Sequence, residues 1–316
     1  MVNVFTVAKP LLQGLMKLAG MTPKLVEIEP GTLMNFWVPN ETIQRNQNQN
    51  QNHTNHKTNK PAVVLVHGFF GDGVITWLFQ VLALTGRYAV YVPDLLFFGG
   101  STTDSHHRST VFQAECLAKG LRKLGVESCT LVGFSYGGII GFKLAKLDPD
   151  LVESLVVSAT VVELTESISR ASLQKIGFSQ WSELLLPETV EGVKAMLTVG
   201  THKLPWLPDF LYRNFLEVMF INRKERTELL EAFIDSDKDA TATTHPQRIH
   251  LLWGDNDKLF DLEVAHNIKE QLGGKSTLHY IEKAGHLVGL ERPFMYTRHL
   301  KRILASLDGE RLQKMN

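Results

Sequence analysis

The sequence predicts an α/β fold: a mostly parallel, doubly wound sheet, opened by an N-terminal hairpin and interrupted by an inserted helical cap. Three observations predict it. Short β-branched apolar runs recur along the chain, at Ala62–Val66, Ala89–Val92, Thr130–Gly133, Ser154–Ser158, Ile249–Trp253 and Leu278–Ile281. Runs of this kind suit strands buried on both faces. Helical patterns separate most of them, at 74–86, 109–124, 136–147, 262–272 and 292–307, and alternating strands and helices build a parallel sheet covered on both sides. Between about 160 and 245 the alternation stops and only helical segments follow one another.

The elements follow in chain order. Residues 3–19 space their apolar positions as an amphipathic helix, expected to pack on the domain; peripheral contact with a lipid surface is the sharper reading. Lys24–Glu29 and Leu33–Val38 alternate as strands. Pro30-Gly31 between them suits a type II turn, because proline fixes one φ and glycine supplies the positive one. Residues 45–60 contain an unbroken NQNQNQN at 46–52 and have nothing to bury, which predicts a flexible loop. The domain reading is therefore a helix over 1–22, a core over 23–159 and 246–316, and a helical cap over 160–245.

Composition excludes several classes. Thirty-three basic residues balance thirty-three acidic ones, which leaves no excess positive charge for a nucleic-acid backbone. Cys116 and Cys129 make neither a disulfide framework nor a zinc spacing. No 18-residue apolar run predicts a membrane span, and Lys9-Pro10 interrupts what would be a signal-peptide core. The expectation is a cytoplasmic protein, with membrane contact only through 3–19.

The chemistry concentrates in four places. The run at 130–133 leads into Gly133-Phe-Ser-Tyr-Gly137 and then a helix. This is G-x-S-x-G in the strand–turn–helix context it needs: the turn lifts the Ser135 hydroxyl clear of the sheet, and the helix N-terminus favours developing negative charge. A nucleophilic serine needs a base and an acid, and in this arrangement they follow later strands in the order Ser, Asp, His. Asp255 and Asp257 follow the run at 249–253, and His286 follows the last one. Asp257 is preferred, since Gly254-Asp255 suits the turn itself. Asp235-Ser-Asp-Lys-Asp239 comes too early for the acid. It also fails as a calcium loop, with Ala240 at position six and Pro246 at position twelve. His67-Gly-Phe-Phe-Gly71 follows the run at 62–66; the Phe69 amide, with Phe70 as runner-up, pairs with the Tyr136 amide as an expected oxyanion hole. His67 reads as structural.

His67-Gly68-Phe69, Gly133-Phe-Ser-Tyr-Gly137, Trp253-Gly-Asp-Asn-Asp257 and Gly285-His286 together resemble the α/β-hydrolase superfamily over roughly residues 24–308. Monoacylglycerol-lipase-like and plant serine-esterase-like members look closest. The resemblance implies an α/β-hydrolase fold, Ser135 as nucleophile, His286 as base, Asp257 as orienting acid, and the Phe69 and Tyr136 amides as oxyanion hole. It implies no metal or cofactor. Serine at the elbow argues against dehalogenases and epoxide hydrolases, which carry aspartate there. Asp94-Leu-Leu-Phe-Phe98 departs from the commoner Arg-Gly-His-Gly and makes this loop apolar. Phe70, Phe97, Phe98, Trp181 and Trp206 are the candidate substrate-binding residues, for an apolar carboxylic ester such as a monoacylglycerol. Two alternatives stay open: a small-molecule receptor of this fold with little turnover, and a carbon–carbon bond hydrolase using cap cations such as Arg170, Lys175, Lys194, Lys203 or Arg213.

Overall fold

The computed structural model describes residues 3–43, 60–237 and 245–315. The expected loop at 45–60 falls, but for Lys60, outside the described residues. The elements are α1 (Val4–Leu18), β1 (Met21–Glu29), β2 (Thr32–Pro39), β3 (Ala62–Val66), α2 (Gly73–Leu84), β4 (Ala89–Pro93), β5 (Thr102–Thr103), α3 (Thr110–Lys123), β6 (Cys129–Phe134), α4 (Tyr136–Leu147) and β7 (Val152–Ser158). Then come α5 (Glu166–Ile176), α6 (Trp181–Leu185), α7 (Val190–Gly200), α8 (Asp209–Met219) and α9 (Arg223–Ala232). The chain closes with β8 (Arg248–Gly254), α10 (Leu262–Leu272), β9 (Ser276–Ile281), α11 (Val288–Glu291) and α12 (Pro293–Met315).

The described strands form one sheet in the order β1-β2-β4-β3-β6-β7-β8-β9, with β5 pairing β2 off this path. The hairpin β1–β2 is antiparallel, and β2 runs antiparallel to β4. From β4 to β9 every pair is parallel. Gly31, at φ 80°, makes the hairpin turn as proline–glycine chemistry requires. The central parallel strands β3, β4 and β6 are buried over nearly their whole length because helices cover both faces, whereas the edge strand β9 carries exposed and half-buried positions. One face packs α1, α2 and α12 through Met16, Trp77, Val81 and Leu300. The other packs α3, α4 and α10 through Leu117, Ile140 and Ile268. Sequence reading missed β5, two residues long, and α11, four residues long. Neither is long enough for a periodicity to develop. Helix α12 runs past the expected end at 307; Asp308, Glu310 and Arg311 are polar, so the apolar periodicity stops before the helix does.

Helices α5 to α9 sit between β7 and β8. Their base is pinned where the segment enters and leaves: a bridge pairs Thr165 with Asp235, and Lys143 of α4 reaches both Glu163 and Asp235 at 3.0 Å. Asp235 is thus committed to Lys143.

At the β8–β9 edge, His250 Nδ1 and His279 Nε2 lie 3.2 Å apart, so only one of the two nitrogens can carry a hydrogen. His299 of α12 stands against His279. Burial holds all three below the ordinary histidine range, with His250 lowered to about 4. The unfolded chain binds protons near 6.5 that the folded chain refuses, so their contribution is present above that value and is lost as pH falls toward 4. Buried His67 and His245 are lowered too. Asp94, raised to about 6 by burial, acts in the opposite sense as a single group. The urea midpoint should therefore decline on acidification through this window, and less steeply in His250→Asn. A midpoint that stays flat down to pH 4.5 would refute the assignment.

Candidate active site

Strand β6 ends at Phe134 and α4 begins at Tyr136, leaving Ser135 alone in the turn at φ 52°, ψ −119°. A non-glycine residue held there costs about 1–3 kcal/mol and needs surrounding structure to enforce it. The enforcement is visible. The Ser135 N–H donates to Ser158 O at the end of β7, at 2.9 Å. The Ser135 carbonyl accepts from Gly138 N at 2.8 Å and from the Thr160 hydroxyl at 2.7 Å. Helix α4 also presses against the end of β3. A Cβ on Gly137 would stand 2.4 Å from both Val66 O and His67 O, so this approach is open only to glycine.

Three side chains from three loops meet above the sheet edge. His286 Nε2 lies 3.0 Å from Ser135 Oγ, and His286 Nδ1 lies 3.0 Å from Asp257 Oδ2. The other oxygen, Asp257 Oδ1, accepts from the Leu259 and Phe260 amides at 2.8 and 3.0 Å. A carboxylate fixed this way holds the Nδ1–H tautomer of the histidine, leaving Nε2 free to accept the serine proton. Asp257 and His286 are both buried. Asp255 is not part of this chain: its Oδ1 accepts from the Ala284 amide at 3.3 Å and from the Asn256 side chain.

The loop after β3 runs beside Ser135. Neither the Phe69 nor the Tyr136 N–H donates to an acceptor among the described residues. His67 sets the loop's shape. Its Nε2 accepts from Leu95 N at 3.0 Å, so Nδ1 carries the hydrogen and donates to Gly68 O at 2.7 Å. Burial lowers this imidazole to about 4 and keeps it neutral. In a trans peptide C=O and N–H point opposite ways, so the Gly68 carbonyl facing His67 turns the Phe69 N–H away from that ring. His67 acts through the backbone and touches neither Ser135 nor His286.

A cavity of about 40 Å³ opens on Ser135 and His286. The core supplies Phe69, Phe70, Phe134, Leu259 and Leu287. Helix α6 adds Leu184 and Leu185, and α7 adds Met196, Leu197, Val199 and Gly200. Of the five candidate substrate-binding residues only Phe70 lines this cavity. Phe98 is fully buried, with its ring against His67 and Phe69. Phe97 is buried under the Arg108 guanidinium. Trp181 packs on Phe233 and Phe260 and donates to Ser169 Oγ. Trp206 is 86% exposed. The aliphatic wall from α6 and α7 was missed because apolar helix faces that line a cavity and those that fill a core have the same composition. Ser158 and Thr160, which hold the elbow, carried no motif; their only signal was a position at the end of β7, the strand next to β6, and just beyond it.

The comparisons agree with this architecture. A family model described as the alpha/beta hydrolase fold matches residues 61–293. Human epoxide hydrolase 4 is 23% identical over 273 residues, covering 74% of this chain and 69% of that protein. The pimeloyl-[acyl-carrier protein] methyl ester esterase of Aeromonas hydrophila subsp. hydrophila is 33% identical over 144 residues, 45% of this chain and 55% of its own. Among solved structures, a bacterial membrane phospholipase A superposes with a TM-score of 0.76 at 23% identity, over 96% of this chain and 92% of that one.

The closest backbone approach at the elbow yields a direct test. Gly137→Ala should lower stability by about 3 kcal/mol or more, because the neighbours its Cβ would meet are the backbone carbonyls of Val66 and His67, which cannot step aside. Thermal unfolding followed by circular dichroism reads it, and an unchanged midpoint would mean that α4 and β3 are further apart than described.

Proposed function

We propose that this chain, which belongs to the α/β-hydrolase fold family, is a serine hydrolase that cleaves carboxylic esters carrying an apolar acyl group. One observation carries the reading: an unbroken hydrogen-bond chain from Ser135 through His286 to Asp257 opens into an apolar cavity beside two uncommitted amides. His286 Nε2 takes the Ser135 proton as Oγ attacks the ester carbonyl carbon. The carbonyl oxygen becomes an oxyanion that the Phe69 and Tyr136 amides would bind, each worth about 3 kcal/mol in comparable sites. His286 then protonates the leaving alcohol, and the C–O bond breaks to give an acyl-serine. Water, deprotonated by the same nitrogen, releases the carboxylic acid and restores the hydroxyl. No step requires a metal or cofactor.

The rival chemistries meet physical objections. Opening an epoxide with serine would leave an ether, which offers water no carbonyl to attack; a carboxylate nucleophile would leave an ester that can turn over. Carbon–carbon cleavage of a dienol acid needs a cation to polarise the substrate, and among the described residues the cavity wall holds no lysine or arginine. The cap cations lie elsewhere: Lys175 pairs with Asp261 and Lys194 with Asp209, and Arg170, Lys203 and Arg213 are exposed. A receptor would share this geometry and differ in rate.

Contact with a lipid surface fits the outer face of α1. Val4, Val7, Leu11, Leu15 and Leu18 are all exposed, and at 100° per residue they fall within about 80° of one another around the helix. Lys17 stands beside this arc, while Lys9 lies on the opposite side of the helix, toward Asp72. Among the described residues no helix is long and apolar enough to cross a membrane.

Ser135→Ala should abolish labelling by a fluorophosphonate probe and sustained hydrolysis of p-nitrophenyl butyrate. Asp257→Asn should lower kcat by about 10³–10⁴, the size expected when the histidine tautomer is lost, whereas Asp255→Asn should change it by less than about tenfold. Labelling that survives in Ser135→Ala refutes the nucleophile, and one turnover without a steady state points to the receptor. Separately, Leu11→Ser with Leu18→Ser should reduce sedimentation with phosphatidylcholine–phosphatidylglycerol vesicles; equal sedimentation of both proteins removes α1 as the contact.

A further inference from the structure

The cavity at Ser135 is small. About 10–15 Å³ of such space holds one water, so about 40 Å³ accepts an ester group and little more. A second cavity of about 210 Å³, roughly five times larger, lies against the same loop. Residues Phe69 and Phe70 line the first; the next two, Gly71 and Asp72, line the second. The partition between them is a layer of aromatic rings. Phe70 stacks on Phe215 of α8, with centroids 5.3 Å apart and planes 17° apart, and Phe215 itself lines the second cavity. Phe5 of α1 braces Phe215 edge-on at 5.4 Å.

The walls of the second cavity are aliphatic: Ala8 and Leu12 of α1, Ile75 of α2, and Val218 and Met219 of α8. Its charged members are already engaged. Lys9 Nζ lies 3.6 Å from Asp72. Arg226 donates to Phe97 O at 3.1 Å and to Met219 O at 2.8 Å, with its guanidinium 4.2 Å from the Phe98 ring centre. What the cavity offers a ligand is therefore apolar contact, and the fitting ligand is an uncharged alkyl chain.

We propose that this cavity beneath α1 holds the acyl chain of the ester whose carbonyl sits at Ser135, and that the Phe70–Phe215 stack is the gate the chain passes. The inference rests on the esterase reading and adds the substrate class: esters of medium to long unbranched acids. The chain leaves the carbonyl past Phe70, parts the two rings, and lies between α1 and α8. Helix α1 then belongs to the binding site, its inner face to the acyl chain.

The test compares p-nitrophenyl acetate with p-nitrophenyl decanoate on the full chain. Ala8→Phe and Val218→Phe fill the cavity from opposite walls, away from Ser135. Each should lower kcat/KM for the decanoate by about tenfold or more while leaving acetate within about twofold. Acetate turnover also reports that each variant is folded. Phe215→Ala, which removes half the gate, should raise the decanoate-to-acetate ratio. Equal losses on both esters, or no loss on the decanoate in either filled variant, would overturn the proposal. A readout without turnover is the fluorescence of methyl cis-parinarate bound to Ser135→Ala: it should be lost when Ala8→Phe or Val218→Phe is added. Binding that persists unchanged in both double variants also overturns it. If the unaltered chain neither hydrolyses acetate nor takes the fluorophosphonate, the esterase reading fails alone, and parinarate binding still decides the cavity.

Discussion

The site depends on one close approach, that of α4 to the end of β3. Gly137 lets the helix come so near that no side-chain carbon would fit between it and the Val66 and His67 carbonyls. That approach brings the Tyr136 amide, at the start of α4, alongside the loop that carries the Phe69 amide. It also forces Ser135 into its positive-φ turn. The strain is of a size that one or two good hydrogen bonds offset, and the Ser135 backbone makes four, to Ser158, Gly138, Ile139 and Thr160. The position of Ser135 and the placing of the Tyr136 amide beside the Phe69 loop are thus two results of a single packing event.

A second layer of buried polar contacts holds the loop opposite. Asp94 accepts from Gly73 N, Gly100 N and the Asn35 side chain. Gln113 pairs with both backbone groups of Leu96, and His67 and Arg226 hold Leu95 and Phe97. Apart from the Asn35–Asp94 contact, these are polar side chains whose hydrogen bonds go to backbone groups of the loops around them, most of them buried. This explains why residues 94–98 are so apolar without forming a pocket: the loop is a wall, turned inward and clamped, and Phe98 supports His67 and Phe69 from behind.

The parallel core and the positions of Ser135, Asp257 and His286 were legible because both are dictated by strand ends. A strand buried on two faces must be continuously apolar, and a residue that reacts above the sheet must follow such a strand within a few positions. The cap was legible as an interruption and no further. Trp181 and Trp206 looked alike in sequence, yet one is buried among Phe233 and Phe260 and the other is 86% exposed. Helices as short as α6, five residues, have too few turns for periodicity to fix which face turns inward. Pocket-lining aliphatics such as Leu184 and Met196 gave no signal distinct from core.

The division of labour between core and insertion follows from how they are joined. Lys143 lies on α4, the helix whose first turn carries the elbow, and is only 14% exposed while bridging Glu163 and Asp235. A buried ammonium between two carboxylates is costly to separate from either. Both ends of the insertion are thereby referenced to the helix that positions Ser135. Between those ends, α6 and α7 supply the aliphatic wall above the serine, and α8 supplies Phe215, Val218 and Met219. Substitutions there reshape the cavities with no need to move the Ser135–His286–Asp257 chain, which rests on the sheet edge. In a fold of this kind the chemistry can stay constant while the choice of substrate is written in the insertion.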